Sequence, residues 1–108
     1  MNKHFIELSE ANFDREVLNA MQPVLVEFWA GWSDRCKAMA PMLESLADDG
    51  AVSVKVVRVN VEHHEKLTEQ YGVRAVPTLL IFKQGGVQDQ IVGQTTEQVV
   101  RAKLERLR

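Results

Sequence analysis

The chain has 108 residues, of which 45% are hydrophobic and 26% charged, with a net charge of −2. A chain this long is expected to form one globular domain, residues 1–108, burying roughly two-thirds of the surface its unfolded form exposes. The slight acidic excess excludes nucleic-acid binding through general basicity, and no apolar run of about 18 residues is present to span a membrane. The start of the chain, Met1 to Glu7, lacks the apolar stretch of a signal peptide, and a single cysteine allows no internal disulfide. Both features point to the cytoplasm.

Residues 5–8 read as a short strand. Ser9 is a good N-cap for a first helix over about 10–20, with Phe13, Val17 and Leu18 on one face, and Gln22-Pro23 stops it. Residues 24–29 are almost continuously apolar, the pattern of a central strand covered on both faces. A second helix is expected over 33–47, with a kink at Pro41 and a buried stripe of Met39, Met42, Leu43 and Leu46. Residues 52–61 form a long β-branched strand whose alternation changes phase at Val56-Val57. A short third helix over 63–70 ends at Tyr71-Gly72. Strands over 78–82 and 87–92 are joined by so short a turn that they must be antiparallel. Thr95 is expected to cap a last helix reaching about residue 107, with Gln98 at the capping-box position and Val100, Leu104 and Leu107 facing inward. The order β-α-β-α-β-α-β-β-α gives an α/β protein, a mixed sheet with helices on both faces.

Three residues could carry chemistry by their type and placement. Cys36, the only cysteine, sits near the first turn of the second helix, where the positive end of the helix dipole favours a thiolate. Arg35 and Lys37 push the same way and Asp34 opposes them; the bland alternative is a buried, inert thiol. Ser33 is a poor nucleophile without an adjacent base, and none is near in sequence: His4, His63 and His64 belong to other elements. Its plainer role is the helix N-cap. Glu27 is an acid within an apolar strand, so it should be paired or hold its proton unusually tightly. His63 and His64, adjacent on a helix, lack metal-ligand spacing, so neither a metal nor any other cofactor is expected.

The stretch Phe28-Trp29-Ala30-Gly31-Trp32-Ser33-Asp34-Arg35-Cys36-Lys37, with Ala40-Pro41 following, resembles the W-C-x-x-C-K active-site segment of the thioredoxin family, except that Ser33 stands at the first cysteine. Tyr71-Gly72-Val73-Arg74-Ala75-Val76-Pro77-Thr78 is similar to the family's cis-proline segment. Phe82 to Gly86 and Val92-Gly93 resemble the hairpin and glycine that follow. The similarity covers essentially the whole chain. It implies the thioredoxin fold, a central mixed five-stranded sheet flanked by four helices.

The resemblance also implies thiol-disulfide exchange, with protein disulfides and thiols as substrates, a thioredoxin reductase as a possible partner, and a monomer. It places Ser33 at the exposed nucleophile, Cys36 at the less exposed resolving thiol, and Glu27 at an acid beneath them that relays protons. Arg58 falls where the family carries a buried lysine, and so is Glu27's candidate partner. A cis bond is implied at Pro77. Trp29 would pack under the site, while Trp32, Ala75, Val76, Pro77 and Gly93 would form the surface that takes extended substrate peptides. Asp34-Arg35 departs from the family's usual Gly-Pro and removes a rigid turn. A serine at position 33 fits an engineered replacement or a natural S-x-x-C, as in the N-terminal domain of the chaperedoxins. With one thiol the dithiol cycle cannot be completed, which leaves either monothiol chemistry at Cys36 or a redox-inactive module that binds peptides as a holdase.

Overall fold

A computed structural model describes residues 5–107; Met1 to His4, where the leader reading begins, and Arg108 lie outside the described residues. The architecture is a five-stranded sheet in the order β1-β3-β2-β4-β5. The strands are β1 (Ile6–Glu7), β2 (Val24–Trp29), β3 (Lys55–Asn60), β4 (Thr78–Lys83) and β5 (Gly86–Val92). β1 and β2 run parallel to β3, whereas β4 is antiparallel to both β2 and β5. Three α-helices and one π-helical turn flank it: the π-turn Asp14–Leu18, α1 (Asp34–Asp48), α2 (Glu65–Gln70) and α3 (Glu97–Glu105). This is the mixed sheet with four helical segments of the thioredoxin fold. None of the described helices is long and apolar enough to cross a membrane.

The central position of β2 follows from its composition. Leu25 joins Leu79, Ile81 and Val56 on one face, under Met39, Leu43 and Leu46 of α1 and Val100 and Leu104 of α3. Val24, Val26 and Phe28 join Val57, Val59, Leu80 and Phe82 on the other, under Val17 of the π-turn and Leu67 of α2. Side chains alternate between faces along a strand, so a strand covered twice is apolar at nearly every position, Glu27 being the exception in β2. Each fully buried side chain of this size contributes about 1.5–3 kcal/mol. The phase change at Val56-Val57 has the same origin, since the two valines enter opposite cores. Tyr71, at the end of α2, stacks its ring 5.4 Å from those of both Phe13 and Phe82, which anchors the segment leading to Pro77.

Several boundaries differ from the sequence expectation. The first helix shrinks to the π-turn; Ser9 caps only a preceding turn, accepting the Ala11 amide at 3.2 Å. β3 starts at Lys55, because the Val52 and Val54 amides are taken locally by the carbonyls of Asp49 and Val52. α2 starts at Glu65, not at residue 63: the amides of His63 and His64 both turn back to the Asn60 carbonyl. α3 is capped by Thr96, whose hydroxyl accepts the Val99 amide at 3.3 Å, so neither Thr95 nor Gln98 fills its expected place. Met42 is half-buried, and Cys36 takes its place in the stripe. α1 remains helical on both sides of Pro41.

Candidate active site

β2 ends at Trp29, and the chain turns through Ala30, Gly31 and Trp32 before α1 begins. Ser33 closes the turn by donating its amide to the Ala30 carbonyl at 3.2 Å. Its backbone is extended (φ −88°, ψ 117°), and its hydroxyl accepts the amide of Cys36 at 3.2 Å. This is N-cap geometry, in which a side-chain oxygen satisfies one of the orphan amides of the first turn. The resemblance implies an exposed residue at position 33, but Ser33 is 5% exposed and its hydroxyl is committed to the cap. Cys36, one turn on, is a free thiol only 1% exposed.

Beneath α1 a polar row crosses the apolar sheet face. The strand register aligns Glu7 of β1, Arg58 of β3 and Glu27 of β2. Arg58 Nε donates to Glu27 Oε1 at 2.9 Å, and one Arg58 terminal nitrogen lies 3.9 Å from Glu7. The Arg58 guanidinium stacks 3.9 Å above the Trp29 ring and 5.3 Å from that of Phe5. Burial pushes the Glu27 carboxyl up to about 7; Arg58 pulls it down, but less than burial raises it, and Glu7 adds a small upward push. Glu27 Oε2 and the Trp29 indole nitrogen are buried without a hydrogen-bond partner among the described residues.

The surface on the other side of Cys36 is built by two loops. The Val76–Pro77 bond is cis. The Pro77 carbonyl accepts the amide of Gly93 at 2.8 Å, and Thr78 Oγ1 donates to the Ala75 carbonyl at 2.7 Å. Gly93 sits at φ +88°, a conformation that glycine adopts without the Cβ penalty. Neither the amide nor the carbonyl of Val76 is hydrogen-bonded among the described residues. Trp32, 68% exposed, stands against this loop. With Val61, Thr68, Val73, Arg74, Ala75 and Val76 it lines a groove of about 180 Å³. With Ser33, Asp34, Arg35 and Val76 it lines a second cleft of about 300 Å³.

Most of the residues singled out in sequence therefore meet at one end of the sheet. Cys36 shares a third cleft, about 260 Å³, with Trp29, Lys37, Ala40 and Arg58. Gly93 joins through Pro77 and lines neither Trp32 cleft. His63 and His64 stand apart at the start of α2, where His64 Nδ1 lies 3.0 Å from Glu10, and the described residues hold no metal-ligand cluster. Glu7, Glu62 and Arg74 were not singled out by sequence reasoning as site residues. Glu62 accepts the Gly31 amide at 3.4 Å, and nothing in its local sequence signals that contact. A larger cleft of about 340 Å³ opens at the opposite end of β2, among Pro23, Val52, Arg101 and Leu104, away from the thiol.

Comparison with known proteins finds matches along most of the chain. The thioredoxin family model matches residues 4–106. The thioredoxin of Pseudomonas aeruginosa is 37% identical over 105 residues, 97% of each chain. Thioredoxin C-2 of Corynebacterium nephridii is 45% identical over 93 residues, 86% of each chain. Thioredoxin 1 of a Nostoc species is 37% identical over 100 residues, 93% of this chain and 94% of that one.

Proposed function

The chain belongs to the thioredoxin family, and from that premise we propose that it is a thiol-disulfide oxidoreductase scaffold working with one thiol. Family membership supports the oxidoreductase role and thiol-bearing proteins as partners. The observation that carries the finer reading is the Ser33 hydroxyl, buried and held by the Cys36 amide at 3.2 Å. An alcohol in that state neither attacks a disulfide nor pairs oxidatively with Cys36, so the dithiol cycle is closed. What remains is exchange at Cys36: its thiolate attacks a substrate disulfide, one Cys36–substrate disulfide forms, and the second substrate sulfur leaves as a thiolate. An external thiol then releases the adduct. A reductase that recognises the same surface is the natural external partner. Glu27 is the group proposed to take up or supply the proton, with Arg58 and Trp29 supporting it. A lone unpaired thiol suits a reducing compartment, and we place the protein in the cytoplasm as a monomer of one domain.

A second reading is favoured by a different observation: Cys36 is 1% exposed while Trp32 is 68% exposed beside the unbonded backbone of Val76. A site open for binding and closed for chemistry suits a module that grips extended peptides through main-chain hydrogen bonds. Insulin disulfide reduction with dithiothreitol separates the readings. On the one-thiol reading the chain as it stands should reduce insulin slowly, with dithiothreitol releasing each adduct, and its Ser33→Cys variant should work much faster. An unaltered chain as fast as Ser33→Cys would remove the cap argument, and an unaltered chain no faster than dithiothreitol alone would leave the binding module as the better reading.

A further inference from the structure

We propose that the Trp32 surface takes extended segments bearing acidic side chains, held by Arg35 and Arg74 on either side of a Trp32–Val76 ridge. The inference rests on the reading of this surface as the partner site. The two clefts there share only Trp32 and Val76 among their lining residues. Each receives one arginine: Arg74 in the groove of about 180 Å³, Arg35 in the cleft of about 300 Å³. Both side chains belong to exposed residues.

What sets these arginines apart is that, among the described residues, no carboxylate pairs with them. Arg15 and Lys55 are bonded to Glu16, Arg58 to Glu27, Arg101 to Asp49 and Glu97, and Lys103 to Asp89. Arg35 and Arg74 have no carboxylate partner among the described residues. The chain as a whole is acidic, with 15 acidic against 13 basic side chains. The clefts are locally the reverse: Asp34 is the only acid lining either one, and it lies 4.0 Å from Lys37, which offsets it. A guanidinium offers a carboxylate two parallel N–H donors, which an ammonium does not. A strand laid along the free Val76 backbone would put alternate side chains to the same side, roughly 7 Å apart. An apolar residue over Trp32 would then have acidic neighbours within reach of each arginine. Departure from Gly-Pro at Asp34-Arg35 thus adds a charge that selects the partner.

Fluorescence anisotropy with labelled peptides tests this. The peptides share an apolar centre and are flanked by glutamates, by glutamines or by lysines. The glutamate peptide should bind about tenfold tighter than the glutamine peptide at low salt, since exposed pairs are individually weak. The lysine peptide should bind weakest. The preference should shrink as salt screens it, and fall to about one in the Arg35→Gln/Arg74→Gln double variant. Equal binding of glutamate and glutamine peptides, or a preference that survives the double variant, overturns the proposal while leaving the surface itself standing. If all peptides bind but Trp32→Ala weakens none of them, or if no peptide binds, both the acid preference and the partner-site reading fall.

Discussion

The Ser33 hydroxyl accepts the Cys36 amide at 3.2 Å, so the residue that the resemblance sets at the nucleophile position holds the end of the helix that carries the thiol. Its chemical role and its structural role are therefore separable by substitution. Ser33→Ala should cost about 1 kcal/mol, the usual loss for an N-cap, and Ser33→Gly only a few tenths. Urea denaturation measures both. Equal losses would assign the effect to the missing hydroxyl alone, and no loss in Ser33→Ala would show that the contact contributes nothing.

Glu27 makes stability depend on pH in a direction opposite to most acids. Its carboxyl is raised from 4.5 to about 7 in the folded chain, so between these values the folded state binds the proton and the unfolded state does not. Stability contributed by this group is full below about 4.5 and declines as pH rises to about 7, by about 3 kcal/mol. Glu27→Gln removes the titrating group while keeping an oxygen for Arg58. Denaturation at pH 5 and pH 8 should show the unaltered chain losing stability between the two and the variant losing much less. Identical slopes would mean that Glu27 ionises at its ordinary value despite its burial.

Arg58 holds three neighbours at once: Glu27 by a 2.9 Å hydrogen bond, Glu7 at 3.9 Å and the Trp29 ring at 3.9 Å. Arg58→Met keeps the aliphatic bulk but leaves the Glu27 carboxylate buried and alone, which should cost about 3 kcal/mol at pH 8 and less at pH 5, where Glu27 is protonated. Arg58→Lys keeps the charge and gives up the flat stack, with an expected loss of about 1 kcal/mol. Trp29 fluorescence should shift in both variants. A loss in Arg58→Met that is the same at both pH values would assign the effect to packing alone.

Much of this was legible in the chain, for reasons that differ by element. β2 was readable to the residue because a strand covered on both faces is almost continuously apolar, even with Glu27 inside it. Ser33 was readable as a cap because serine before a helical stripe has few other roles. The first helix was not, because Phe13, Val17 and Leu18 satisfy helical spacing whether the backbone makes several α-turns or one wide π-turn. The start of β3 was hidden for a similar reason: Val52 and Val54 have strand propensity, yet their amides are used by a local turn. At the site, the motif residues were visible as a set, whereas Glu7 and Glu62 reach it only through strand register and a loop contact across 31 positions.

The α3 cap is a case where two adjacent threonines look interchangeable in sequence and are not. Thr96 accepts the Val99 amide at 3.3 Å, and Thr95 makes no such bond. Thr96→Ala should cost about 1 kcal/mol, whereas Thr95→Ala should stay within about 0.5 kcal/mol. Thermal or urea unfolding of the two variants decides it. The reverse order would move the helix start by one residue and restore Gln98 to the capping-box position.

The thiol's burial decides which reading of the site has chemistry in it. Cys36 is 1% exposed and lines a cleft with Ala30 and Gly31 of the turn that carries Trp32, so a reagent must wait for that end of the helix to open. Iodoacetamide should alkylate it at least about a hundredfold more slowly in the folded chain than in urea, the factor set by the opening equilibrium. Ser33→Gly, which removes the cap contact at little cost in global stability, should narrow that gap if the opening is local to the first turn of α1. If Ser33→Gly alkylates no faster while destabilised variants do, opening is global and the folded protein offers no thiol. The exposed surface around Trp32 would then act by binding alone. If instead the folded chain reacts as fast as the unfolded one, Cys36 exchanges without any opening, and the one-thiol oxidoreductase becomes the better account of the site.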